Sequence, residues 1–81
     1  METQYIHNFL KVVKLGSMSD AARELDLSPA AIAQQMRTLE RALGAALLVR
    51  QGLRMRPTAA GERLFEKGRH LVQECDELRN W

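Results

Sequence analysis

The sequence predicts a mainly α-helical domain that carries one small β-hairpin. Two observations support this fold class. Apolar residues recur at helical spacing before residue 44 and again after residue 58, and between residues 47 and 56 the spacing shortens to that of β-strands. With 81 residues and one cysteine, the chain is long enough for one small domain and cannot form an internal disulfide.

The first two helices are predicted from apolar spacing and capping residues. The first covers residues 3–15 and ends at Gly16, a residue suited to a helix C-terminus. Its apolar face consists of Ile6, Phe9, Leu10, Val12 and Val13. The second helix is expected to have Ser19 as its N-cap, to carry Asp20 in its first turn and to run through Leu25.

The third helix has the strongest start signal in the chain, because Ser28 can cap it and Pro29 suits its first position. We expect it to continue to Leu43 and to stop at Gly44. Two faces separate along this helix. The apolar face has Ile32, Met36, Leu39 and Leu43, and the opposite face has Ala30, Ala33, Gln34, Arg37 and Arg41.

The hairpin is predicted from two short strands, residues 47–50 and 53–56, joined by Gln51-Gly52. The glycine suits a tight two-residue turn, and Pro57 ends the second strand. That strand has Leu53 and Met55 on one face and Arg54 and Arg56 on the other. The sequence therefore predicts a hairpin with a basic side.

The last helix is predicted to begin after Thr58 as its N-cap and to run to the end of the chain. Small and apolar residues follow it at alternating spacings of three and four, the pattern of a coiled-coil seam. This pattern favours a contact between subunits over a further core element. The predicted dimerisation residues are Leu64, Gly68, Leu71, Val72, Cys75 and Leu78, and Gly61 and Phe65 extend the same stripe.

Positive charge is concentrated in one part of the chain. Residues 27–57 hold five arginines and one glutamate, a net charge of +4, whereas the remainder holds seven basic and nine acidic residues, a net charge of −2. Such segregation is typical of a surface that binds a polyanion.

Several function classes have no support in the sequence. His7 and His70 are far apart and no Cys/His cluster has metal-ligand spacing, so we expect neither a metal nor another cofactor. No signal peptide or membrane span is predicted, which favours a cytoplasmic protein. An enzyme is not expected either, because four helices and a hairpin in 81 residues leave little room for a pocket.

Helix, short turn, helix and basic hairpin follow one another in the order of a winged helix-turn-helix domain. Further motifs along the chain are Gly16-Ser17-Met18, Ala21-Ala22, Ser28, Leu39-Glu40, Leu43-Gly44, Arg50 and Thr58 with Ala60-Gly61. At these spacings the whole chain resembles the N-terminal DNA-binding domain of LysR-type transcriptional regulators.

The resemblance implies a division of the chain into a winged helix-turn-helix domain, residues 1–58, and a linker or dimerisation helix, residues 59–81. Within the first, it places the helix-turn-helix at about 18–37 and the wing at about 47–57. It implies a homodimer joined through the linker helix, a tetramer in the full-length protein, and association with the bacterial nucleoid. Family members carry a further domain that binds a small-molecule effector, and this chain is expected to be a fragment without it or an unusually short relative.

The third helix departs from the family pattern at the positions expected to read bases. Its proline lies one position earlier, and Ala33 and Gln34 replace a serine and a basic residue. Pro57 also stands where the family commonly has leucine. Because of these departures, we expect this chain to prefer a DNA half-site that differs from those of better-known family members.

The predicted DNA-binding residues are Ser28, Pro29, Ala30, Ala33, Gln34, Arg37, Arg50, Arg54 and Arg56. Gln34 can pair with an adenine edge, and the two alanines can contact a thymine methyl, although exposed alanine and glutamine are also ordinary on a helix surface. We expect the arginines to contact phosphates and to set the dependence of binding on salt. Arg41 belongs to the same face but can pair with Glu40 instead.

Two functions remain open from the sequence. The first is sequence-specific binding of a partly palindromic site in double-stranded DNA, with the third helix in the major groove and the wing on the flanking backbone or minor groove. The second is a winged-helix module for protein association, which the low charge of residues 28–36 favours.

Overall fold

The structure is a computed structural model that describes the backbone of residues 3–79 and the side chains of residues 3–71 and Gln73. Its elements are α1 (Thr3–Leu15), α2 (Met18–Leu25), α3 (Pro29–Leu43), β1 (Leu48–Gln51), β2 (Arg54–Pro57) and α4 (Ala59–Arg79). The two strands form one antiparallel hairpin, here called the wing (residues 48–57). The predicted fold class, four helices with a small hairpin, is confirmed.

The core lies between the first three helices and the segment that enters the wing. Its most buried side chains come from α1, α2, α3 and Leu47, and each is at most 8% exposed: Phe9, Leu10, Val12, Ala21, Ala22, Ile32, Met36, Leu39 and Leu47. The apolar face predicted for α3 is thus confirmed at three of its four positions. Leu43 is the exception, since it is 42% exposed while Leu47, after the chain has turned at Gly44, is buried instead.

The start of α2 differs from the prediction. Ser17, not Ser19, is its N-cap, because the Ser17 side chain accepts a hydrogen bond from the Asp20 N–H at 3.1 Å and Ser17 has an extended backbone. Gly16 ends α1 with a φ of +67° and sends the chain directly into this cap. Ser19 lies on an exposed position inside the helix.

The turn between α2 and α3 is built around Asp26, whose φ of 59° is left-handed. The Leu27 N–H donates to the Ala22 carbonyl at 2.8 Å, which closes the last turn of α2. Ser28 follows at once and caps α3 by accepting from the Ala31 N–H at 3.1 Å. The predicted start of α3 at Ser28-Pro29 and its end at Gly44 are confirmed.

The wing has a different register from the predicted one. The pairing of Gln51 with Arg54 makes Gly52-Leu53 the turn, one residue later than expected. Gly52, with a φ of +64°, occupies the first central position, where a type II′ turn requires glycine. Leu53 therefore lies in the turn and is 96% exposed, instead of sharing a strand face with Met55. Pro57 is the last residue of β2 and pairs with Leu48.

Helix α4 packs against the wing and then along α1. Thr58 caps it as predicted, since its hydroxyl accepts from the Gly61 N–H at 3.1 Å. A side chain at Gly61 would overlap the Leu47 carbonyl oxygen, and one at Gly68 would come within 2.9 Å of Ile6. These two glycines let α4 approach the rest of the domain closely. Among the residues that the structure describes, no helix is both long and apolar enough to cross a membrane.

Candidate nucleic-acid interface

One side of α3 is available to a ligand because the core holds the opposite side. Ser28, Pro29, Ala30, Gln34 and Arg37 are exposed, and Ala33 is half-buried. Arg41 lies one turn beyond Arg37 on the same face and is also exposed. The face predicted to read bases is therefore open to a partner over nearly its whole length.

Gln34 and Arg37 contact each other on this face. The Arg37 Nη2 donates to the Gln34 Oε1 at 3.0 Å. Thr38 lies nearby, but its hydroxyl donates to the backbone carbonyl of Gln34 and not to the side-chain amide. The two predicted contact residues thus form one hydrogen-bonded pair, although separate roles were expected for them from the sequence.

A partly buried polar network joins α3 to α1. Asn8 is 2% exposed, and its Nδ2 donates to the Gln35 Oε1 at 2.6 Å. The Asn8 Oδ1 in turn accepts from the Gln4 Nε2 at 3.0 Å. Sequence reasoning missed this network. Gln4 and Asn8 have helical spacing, but the contact with Gln35 spans 27 residues and has no local signal.

The wing separates its three arginines between two faces. Arg54 and Arg56 lie on the face shared with Val49 and Gln51, and all four residues are exposed. Arg50 pairs with Met55 on the opposite face, whose other members, Leu48 and Pro57, are half-buried. The predicted placing of Arg54 and Arg56 together is confirmed, and Arg50 projects on the other side.

Arg54 also contacts the turn between α1 and α2. A Cβ at Gly16 would lie 2.6 Å from its Nη2, so the guanidinium lies directly against the glycine. Beside it, the Met55 N–H donates to the Gly16 carbonyl at 2.9 Å. These contacts join the wing to the helix-turn-helix at the point where α2 begins.

Glu40 connects α3 to the start of the wing. Its Oε2 accepts from the Leu47 N–H at 2.8 Å, which satisfies a backbone donor of a buried residue. From the sequence, Arg41 was an alternative partner for Glu40. In the structure the bond to Leu47 explains why a carboxylate follows Leu39 on this helix.

The cations of α3 and the wing are not neutralised locally. Within the part of the chain whose side chains are described, the ion pairs between side chains lie in α1, α2 and α4: Lys11–Glu24, Arg23–Asp20 and Arg69–Glu66, with His70 near the same Glu66. None of these pairs involves Arg37, Arg41, Arg50, Arg54 or Arg56. The segregated positive charge of residues 27–57 is therefore presented to solvent.

The predicted dimerisation stripe is divided by the fold. Gly68 is buried against Ile6 and Leu10, and Leu64 packs on the core from a half-buried position. Leu71 is 45% exposed. The remaining predicted contacts, Val72, Cys75 and Leu78, lie outside the described side chains. The beginning of the stripe thus packs within the chain itself, and the dimer contact stays a prediction.

Comparison with known proteins identifies the family. The family model for bacterial regulatory helix-turn-helix proteins of the lysR family matches residues 3–62. The chain belongs to the LysR family. A relative, the nitrogen assimilation regulatory protein nac of Escherichia coli, is 34% identical over 79 residues, covering 98% of this chain and 26% of its own. The chain spans about a quarter of the length of curated relatives such as this one.

Solved structures agree with the assignment of this LysR-family chain. It is similar to the CbnR DBD–DNA complex, with a TM-score of 0.91 and 32% identity, covering 99% of this chain and 92% of that one. It is also similar to the BenM DBD in complex with catB site 1 DNA, with a TM-score of 0.94 and 26% identity, covering 99% and 89%. The winged helix-turn-helix fold is confirmed. The family is one of transcription regulators, which agrees with the expectation that the chain is not an enzyme.

Proposed function

We propose that this chain is the DNA-binding part of a bacterial transcription regulator and that it binds double-stranded DNA sequence-specifically. The observation that carries the proposal is the likeness, over 99% of the chain, to LysR-family domains solved in complex with DNA. The exposed face of α3 and the unneutralised arginines supply the chemistry that such a role requires.

In this proposal α3 enters the major groove from its N-terminal end. Pro29 has no N–H and the Ala31 N–H is bound by Ser28, while the Ala30 N–H has no partner among the described residues. That N–H, at the positive end of the helix, suits a phosphate oxygen. Ala30, in the same turn, and Ala33 and Gln34, one turn further along, then face the base edges.

The wing supplies affinity from the flanking DNA. Arg54 and Arg56 project from one exposed face and contact phosphates or the minor groove next to the site read by α3. Arg50, on the other face of the wing, contacts a different part of the backbone. Contacts of this kind raise affinity for all sequences and make it fall as salt increases.

Two copies bind together in this proposal. The helix α4 of each copy, from Leu71 onward, pairs with its counterpart to form a homodimer, and the two-fold axis matches a partly palindromic site. The resemblance to LysR-type regulators further implies a tetramer in the full-length protein and a small-molecule effector that acts through a further domain. The dimer acts in the cytoplasm on DNA of the nucleoid.

The proposal is tested by titrating a labelled mixed-sequence duplex with the 81-residue chain at several salt concentrations. The logarithm of the affinity is expected to fall linearly with the logarithm of the salt concentration. Arg56→Ala should weaken binding to all sequences and reduce that slope by about one phosphate unit.

Arg69→Ala is the matched control, because Arg69 is exposed on α4 and pairs with Glu66. It should leave the slope unchanged. Affinity that does not depend on salt would contradict DNA binding and favour the alternative, a winged-helix module for protein association.

A further inference from the structure

We propose that Gln34 and Arg37 form one recognition unit, in which Arg37 orients the Gln34 amide so that the pair presents hydrogen-bond donors to the major groove and selects guanine. The inference rests on the proposed function, in which α3 lies in that groove. It replaces the prediction that Gln34 alone recognises adenine.

The geometry of the pair determines which atom of the Gln34 amide faces away from Arg37. Both side chains are exposed and lie three residues apart on one face of α3. The Gln34 Oε1 accepts from the Arg37 Nη2 at 3.0 Å, so the carbonyl side of the planar amide is directed toward Arg37. The Nε2, with its two hydrogens, is then the amide atom that faces away from the arginine.

Adenine and guanine make different demands on such a pair. A glutamine recognises adenine in two places only when its oxygen accepts from N6 and its nitrogen donates to N7. Guanine presents two acceptors, O6 and N7, in the same region of the groove. Donors from Gln34 and Arg37 satisfy both guanine acceptors, whereas the N6 amino group of adenine would face further donors.

Arg37 acts as a positioning residue for Gln34 in addition to any phosphate contact. Its planar guanidinium can hold the Gln34 oxygen and still has other N–H groups for the groove. Without it, the Gln34 amide can rotate so that Oε1 faces the groove and accepts from N6. The proposal therefore makes an unusual prediction: loss of an arginine changes which purine is preferred, and not only how tightly DNA is bound.

The test measures base preference in a duplex library in which every position of a bound half-site is varied. The 81-residue chain should prefer guanine over adenine at one position by about tenfold, and Gln34→Ala should lose that preference. Arg37→Met, which keeps the apolar stem without the donors, should shift the preference at the same position toward adenine. Arg37→Lys keeps the charge but not the planar fork, so it should retain the salt dependence and weaken the guanine preference.

Arg41→Met is the matched control, because Arg41 is an exposed arginine one turn further along the same helix. It should weaken binding without changing the preferred base at that position. Adenine preference in the unaltered chain, or the same preference in the Arg37→Met variant as in the unaltered chain, would overturn the proposal.

A measurement without DNA separates this proposal from the proposed function. The side-chain amide resonances of Gln34 in the free protein should move in the Arg37→Met variant and stay in place in Arg41→Met. Unmoved resonances would show that the pair does not form and would overturn the inference, whatever the DNA titration gives. Moved resonances in a chain that shows no salt-dependent DNA binding would contradict both the groove assignment and the selection of guanine.

Discussion

The recognition helix and the wing carry the two parts of the proposed DNA interface, and the fold holds them in different ways. Helix α3 has three side chains in the core, Ile32, Met36 and Leu39, each at most 3% exposed. No residue of either wing strand is fully buried. The wing is joined to the rest by the backbone hydrogen bond from Met55 to Gly16 and by the packing of half-buried Leu48 and Met55 on the core.

The two regions also differ in the charge of their residues. The first two turns of α3 have no charged residue, whereas β2 alternates arginines with half-buried residues. Base recognition needs side chains placed within a few tenths of an ångström, and a helix fixed by the core provides that. Phosphate contacts are less demanding, so the more weakly anchored wing can supply them.

The largest loss of stability is expected for Ile32→Ala, which tests whether the core fixes α3 more firmly than it fixes the wing. Because Ile32 is fully buried in the first turn of α3, its truncation should lower the free energy of unfolding by about 2–5 kcal/mol. The effect is measured by chemical denaturation, followed by circular dichroism. A loss below about 1 kcal/mol, within the range of tolerated hydrophobic changes, would contradict the claim that the core fixes this helix.

Helix α3 was predictable from the sequence because three local signals agree on it. Ser28-Pro29 begins it, Gly44 ends it, and the apolar residues between them repeat at one period. The start of α2 was predicted two residues too late. Ser17 and Ser19 are both suitable N-caps, and in the structure Ser17 is the cap, directly after Gly16 ends α1.

The candidate interface was predictable as a set of residues but not as an arrangement. The turn at Gly52-Leu53 lies one residue beyond the expected position, so Leu53 leaves the strand face that it was expected to share with Met55. Arg50 lies on the face opposite Arg54 and Arg56 in either register. The bond between Asn8 and Gln35 depends on the packing of two helices, which local sequence does not specify.

An intermediate effect is expected at Glu40, which joins the two regions. Glu40→Ala removes the acceptor for the Leu47 N–H and should cost about 1–3 kcal/mol, since a buried backbone donor loses its partner. Glu40→Gln is the control, because its amide oxygen can still accept. Thermal unfolding of both variants checks the prediction, and equal losses would show that the charge, not the hydrogen bond, stabilises the connection.

The smallest effect is expected at the tip of the wing. Leu53 is 96% exposed in the turn, so Leu53→Ser should change the free energy of unfolding by less than about 0.5 kcal/mol. Met55→Ser, two residues away on the half-buried face of β2, is the control and should cost more, because Met55 packs against the core. Chemical denaturation of the two variants measures the difference directly. A large loss at Leu53 would mean that the tip packs against another part of the protein, and the contrast between a fixed helix and a weakly anchored wing would then fail at the wing.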